Sequence, residues 1–139
     1  MKKIFSIIGI LTVIIFLLAA ALSCAADKIT ASLGEEFTLP VGQKASIEGE
    51  GLTLKFEEVV TDSRCPKGVE CVWAGEAQCQ MLFTYAASPA EMVLIQTGSD
   101  ATAMDYFLQY KISFKLEPYP QEGQQIAASD YYLVMTVTK

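Results

Sequence analysis

The sequence predicts an all-β domain: an antiparallel sandwich of about seven strands in two sheets, with a small Greek-key barrel as the alternative. Three observations carry this. Apolar residues recur with period two from Glu36 to the C-terminus, breaks rich in turn residues separate the runs, and no convincing long amphipathic helix interrupts them. Short connections make neighbouring strands antiparallel, since a parallel crossover takes about a dozen residues. Alternation leaves each strand with one apolar face, which a second sheet must cover.

Residues 1–23 read as an export signal. Lys2 and Lys3 precede an uncharged stretch, Ile4 to Leu22, and small residues surround Cys24. The stretch is long enough to span a bilayer, so a retained helix is one alternative and ordinary cleavage another. The junction LLAAALSCAAD resembles the bacterial lipoprotein signal, in which a cysteine behind small residues becomes the lipidated first residue. Ala21 stands where that signal more often carries leucine. The resemblance implies a lipid on Cys24 and attachment to an envelope membrane, facing periplasm or exterior. Because Ala25 follows where aspartate would favour retention in the inner membrane, it implies the outer membrane in a Gram-negative cell. Each buried methylene of an acyl chain contributes about 0.8 kcal/mol, so several chains hold a protein effectively permanently.

The remaining 116 residues suit one domain. Residues 24–34 read as the lipidated cysteine and a tether, and residues 35–139 as the β domain. Losing Lys2 and Lys3 moves the net charge from −6 to −8, with 16 acidic residues against eight basic ones. Such acidity favours solubility and disfavours nucleic acid and anionic lipid head groups as partners.

The elements follow in order. Phe37, Leu39 and Val41 form the first run, which stops at Gly42, and Ala45 and Ile47 form the second, before GEG at 49–51. Leu52, Leu54 and Phe56 form the third, where the loss of phase over Glu57, Glu58, Val59 and Val60 signals a bulge. Ala77, Cys79, Met81, Phe83 and Tyr85 share one face of the fourth. AASPAE is a turn-rich break, MVLIQT is a fifth, more evenly apolar strand, and GSDATAMDYF reads as a helical turn or a loop. Tyr110, Ile112, Phe114 and Leu116 alternate up to EPYPQEG, whose prolines end the strand, and Tyr131, Leu133, Met135 and Val137 form the last. Met81, Met92, Met104 and Met135 fall in strand phase as core fillers rather than as a copper site. Tyr106, Tyr110, Tyr119, Tyr131 and Tyr132 read as buried or edge aromatics rather than a ligand groove.

The stretch DSRCPKGVECVWAGEA, Asp62 to Ala77, joins the third run to the fourth and holds two cysteines and the sole tryptophan. Export to an oxidising compartment leads us to expect a disulfide. Cys71 and Cys79 are separated by roughly 26 Å of extended chain, too far to bridge without folding back. Pro66 and Gly68 favour a reversal between Cys65 and Cys71, so the bridge is expected there, with Cys65–Cys79 as the alternative. Cys79, on an apolar face, suits a free thiol. A ring this small contributes about 2 kcal/mol in the chain-entropy model. Trp73 follows Cys71 closely enough to pack near the sulfurs, Gly75 suits a bulge or a positive φ, and Asp62 and Ser63 can cap loop amides. The loop is then either a stapled connection with Trp73 in the core, or a rigid ring presenting Arg64, Lys67, Val69 and Trp73 to a partner.

The pattern D-S-R-C-P, four residues, then C-x-W-x-G-x-A is met by Asp62, Ser63, Arg64, Cys65, Pro66, Cys71, Trp73, Gly75 and Ala77. It resembles a family of small exported bacterial proteins and lipoproteins of uncharacterised function. The resemblance covers 16 residues, implies a small exported β domain with a clipped loop, and transfers no activity.

The chain contains no histidine, which excludes histidine triads and most catalytic zinc sites. It has no C-x-x-C spacing and no phosphate-cradling glycine motif. Glu35 with Glu36, and Glu57 with Glu58, are adjacent on extended chain and so face opposite sides, and no EF-hand spacing occurs. The expectation is a membrane-anchored, non-enzymatic binding domain without a cofactor, whose partner is an envelope protein or a small ligand. The alternative is an inhibitor of an envelope or extracellular hydrolase, a protease or lysozyme, acting through loop 62–77.

Overall fold

The computed structural model describes residues 28–98 and 100–139, so the segment read as an export signal and Cys24 lie outside the described residues. Among the described residues nine strands form two packed sheets, two more strands than the alternation predicts. They are β1 (Ile29–Ala31), β2 (Glu36–Pro40), β3 (Lys44–Ile47), β4 (Leu52–Asp62), β5 (Glu76–Tyr85), β6 (Ser88–Thr97), β7 (Ala103–Phe107), β8 (Tyr110–Glu117) and β9 (Tyr132–Thr138). The first sheet has the order β1-β3-β4-β5-β6 and the second the order β2-β9-β8-β7. Each sheet keeps two free edges, so the fold is the expected sandwich and not the barrel alternative.

The alternating side chains build the core. Ala77, Cys79, Met81 and Phe83 of β5 face Tyr110, Ile112, Phe114 and Leu116 of β8 and Leu133, Met135 and Val137 of β9, all of them buried. Register aligns large residues across strands of one sheet, with Leu54 opposite Phe83 and Phe114 opposite Met135. The Phe83 and Phe107 rings stack at 4.7 Å between the sheets.

Three departures from the sequence reading have physical causes. Within the segment read as a tether, β1 pairs parallel with β3, Ile29 opposite Ala45 and Ala31 opposite Ile47. The chain between them passes through β2 in the other sheet, which supplies the length a parallel pair requires. A three-residue strand burying only Ala31 is too short to display a period. Secondly, β7 lies inside GSDATAMDYF, with Ala103, Asp105 and Phe107 inward and Met104 and Tyr106 exposed, so Met104 is not a core filler. Thirdly, the AASPAE break shrinks to a two-residue turn, Ala86–Ala87, because Tyr85 already pairs with Ser88.

The bulges expected in β4 occur between Phe56 and Glu58 and between Val59 and Thr61. The first shifts the phase so that Val59 packs on the core, and the second shifts it back, leaving Asp62 inward at the strand end with its side chain only 7% exposed. That inward carboxylate organises the loop that follows.

Ala86 and Ala87 have φ of 47° and 67°. A turn with both central residues at positive φ favours Asn-Gly, whereas alanine adopts that region at a cost. Replacing Ala86→Asn and Ala87→Gly together is expected to raise the unfolding free energy by about 1 kcal/mol, read from equilibrium urea unfolding.

Candidate functional site

The loop between β4 and β5 continues their ladder beyond the sheet. The Ser63 amide donates to the Glu76 carbonyl at 2.8 Å, and the Cys65 amide to the Ala74 carbonyl at 2.9 Å. The Ser63 hydroxyl accepts from the Glu76 amide at 3.2 Å, the capping expected of it, and the Asp62 carboxylate accepts from the Arg64 amide at the same distance. Gly75 has φ of 71°, and a Cβ there would overlap the Ser63 carbonyl. A Cβ on Gly98 would likewise overlap the Ala74 carbonyl, while the Gly98 amide donates to the Gly75 carbonyl at 2.7 Å. Three backbones meet here closely enough that only glycine fits.

Cys65 and Cys71 form the expected disulfide, their Cα atoms 6.0 Å apart, and Val69 closes a turn onto the Pro66 carbonyl. Cys79 is free and buried in β5, which removes the Cys65–Cys79 alternative. Burial pushes its thiol up to about 12, so it stays protonated and unreactive.

Arg64 is not presented to solvent. The residue is 3% exposed, and its guanidinium spans the two sheets. Nε and Nη2 donate to the two Asp62 carboxylate oxygens at 2.8 and 2.7 Å, Nη1 to the Leu116 carbonyl at 2.7 Å, and Nη2 also to the Pro118 carbonyl at 3.2 Å. The Tyr119 ring lies under it at 4.9 Å, and the Tyr131 hydroxyl donates to Asp62 at 3.1 Å. Burial by itself would raise the Asp62 pKa and lower that of Arg64. Their mutual hydrogen bonds and opposite charges prevail, leaving Asp62 below and Arg64 above the ordinary value.

The rest of the loop is tied down on its other side. The Tyr119 hydroxyl donates to the Cys65 carbonyl at 3.0 Å. The Lys67 amide donates to the Pro120 carbonyl, and the Glu122 amide returns to the Lys67 carbonyl. The Lys67 ammonium, expected to face a partner, is bound to Asp100 at 2.7 Å, and Lys115 holds the other Asp100 oxygen at the same distance. Hydrogen bonds from Lys115 and then Lys67 bring the Asp100 pKa down to about 2.

Besides the exposed Lys67 and Glu70, the ring's outward side chains are apolar. Val69 is 40% exposed, Trp73 70% exposed, and Val72 wholly exposed. Trp73 therefore does not join the core. Two of the four residues expected to meet a partner, Val69 and Trp73, stand in solvent, while Arg64 and Lys67 fasten the loop. Val72 was missed, since one valine in a loop carries no pattern. Beside the loop base, Val60, Val93 and Ile95 are exposed on the outer face of the first sheet, where Ile95 pairs with Gln78 and Val93 with Gln80.

No family model matches the chain, and no curated protein or solved structure matches it. Among the described residues, no group of three or more His, Cys, Asp or Glu side chains is placed to hold a metal ion.

Arg64→Ala leaves the Asp62 carboxylate buried without its counter-charge and is expected to cost about 3–5 kcal/mol, measured by urea unfolding at neutral pH. Acid acts on the same device. The folded pKa values of Asp62 and Asp100 lie below the ordinary 3.8, so their stabilisation is complete above that pH. It is lost as pH falls through the folded values, which for Asp100 is about 2. In carboxyl-resolved NMR titrations, Lys67→Ala and Lys115→Ala should each move the Asp100 transition upward.

Proposed function

We propose that this protein is a non-enzymatic binding domain held at a bacterial envelope membrane by a lipid on Cys24. Its contact element is the clipped ring, through Val69, Val72 and Trp73. One observation carries the reading: a tryptophan and a valine are held in solvent on a segment clipped by a disulfide and tied at both ends by backbone hydrogen bonds. Folding alone gives no reason to expose them, and a segment already ordered loses little entropy on association. Tryptophan is also among the residues that most often dominate contact energies.

Other features support the reading. The charged N-terminus, apolar run and small-residue junction have the form of an export signal, and a disulfide is at home in the oxidising compartment to which such a signal leads. The motif around the ring resembles that of small exported lipoproteins. Polar groups near the ring are engaged in holding the fold, and among the described residues no buried side-chain nitrogen or oxygen lacks a hydrogen-bond partner. The hydrolase-inhibitor alternative has less support, because Arg64 is buried against Asp62 and Lys67 is paired with Asp100 at the surface.

The test is made on the full chain in a bacterial host. Growth with an alkynyl fatty acid should label the protein and place it in the membrane fraction, and Cys24→Ser should abolish both. A photoreactive residue replacing Val72 should form adducts with an envelope component, lipid or protein, that the same residue at position 87 does not form. Identical adducts from both positions would remove the contact role of the ring.

A further inference from the structure

We propose that the ring's partner is the bilayer itself: the outer face of the first sheet leans on a zwitterionic membrane with Val72 and Trp73 in its interfacial layer. This rests on the reading that Cys24 carries the anchor.

The strand directions begin the argument. β1 runs parallel to β3 and antiparallel to β4. The chain preceding Ile29 therefore enters from the end of the sandwich at which β4 stops and the ring begins. Whatever path residues 25–27 take, Cys24 lies within about 14 Å of Lys28, the reach of four residues. Lys28 is level with Lys44, which pairs with Lys55, which pairs with Leu82. From Leu82 to Ala74, where the ladder meets Cys65, the chain climbs roughly 27 Å. A tether of that length cannot stand the sandwich upright on its ring. Anchoring instead makes the domain lean, with the β1 edge and the ring both at the surface.

The chemistry of one face matches that posture. Lys28, Lys44 and Lys55 form a row on the outer side of the first sheet at the β1 edge, although the domain as a whole is strongly acidic. Lys28 and Lys44 are exposed, and Lys55 bonds Glu57 at 3.0 Å. Lysines beside an anchor suit lipid phosphates. Further along the same face stand Val60, Val93 and Ile95, and beyond the end of β4 the ring carries the exposed Val72 and Trp73. Tryptophan favours the interfacial layer, where an apolar ring with one N–H donor is at home. Glu58 and Glu91 share the face and Glu70 lies in the ring, all exposed, which favours zwitterionic over anionic head groups. The other exposed apolar group, Met104, Tyr106 and Leu108, belongs to β7 and the turn after it, at the edge beside β6 and away from β1, where a short tether cannot turn it to the membrane.

Trp73 is the only tryptophan in the chain, so its fluorescence reports the ring alone. The full chain is purified with its lipid, reconstituted into phosphatidylcholine vesicles, and floated on a density gradient. Flotation with Trp73 quenched by lipids brominated near the head group, and with acrylamide quenching reduced at least about twofold, supports the proposal. In Val72→Asp/Ile95→Asp, acrylamide access should return while flotation and Tm stay unchanged, since both side chains point to solvent. Flotation with Trp73 still open to acrylamide and untouched by brominated lipid overturns the proposal, leaves the anchor standing, and turns the search to a protein partner. Failure to float overturns the anchor and the proposal together.

Discussion

The ring exists in its observed form because one guanidinium has nowhere else to go. Arg64 sits between the ends of two sheets, and four of its donor bonds are filled by two Asp62 oxygens and the carbonyls of Leu116 and Pro118. A buried cation needs a counter-charge and partners for its N–H groups, and removing any of them leaves an expensive orphan. The end of β4 supplies the counter-charge: one bulge shifts the phase to bring Val59 inward and the second shifts it back, leaving Asp62 on the inward face. A buried ion pair of this kind adds little net stability relative to a well-packed apolar pair. Its effect is geometric: it admits one arrangement of the β4 end against the β8 end.

Around that pair, ordinary roles are exchanged. Arg64 points inward and Lys67 is neutralised by Asp100, while Val69, Val72 and Trp73 point out. Tyr119 illustrates the economy, lying under the Arg64 guanidinium while its hydroxyl holds the Cys65 carbonyl. The disulfide then closes the tip, and glycines at 75 and 98 let three backbones approach where any side chain would collide. Val72 and Trp73 are thereby prevented from collapsing onto the core, which is where hydrophobic burial would otherwise drive them. A surface kept apolar by such a network is, on the proposed anchor, suited to contact with an amphipathic layer.

Much of the fold was legible in the residues, since alternation depends only on the pleat. The inward faces of β2, β5, β8 and β9 were readable one strand at a time, and the phase loss at Glu57 marked the bulges. The ring was legible too, because Pro66 and Gly68 between two cysteines are a local signal. Short or edge elements were not: β1 buries one side chain, and β7 buries none fully. The fate of the ring's side chains was hidden for a different reason. Arginine in a loop normally faces water, and tryptophan normally seeks the core, so residue type pointed the wrong way for Arg64 and Trp73.

The sequence by itself determined the two-layer β architecture, the 65–71 bridge and the buried Cys79, because periodicity and chain reach act within a few residues. Only the tertiary structure decided which loop residues face out. The partners that bury Arg64 come from 52 and 54 residues further along the chain, and the carboxylate that holds Lys67 from 33. Such meetings are set by how the sheets pack, and no local pattern encodes them.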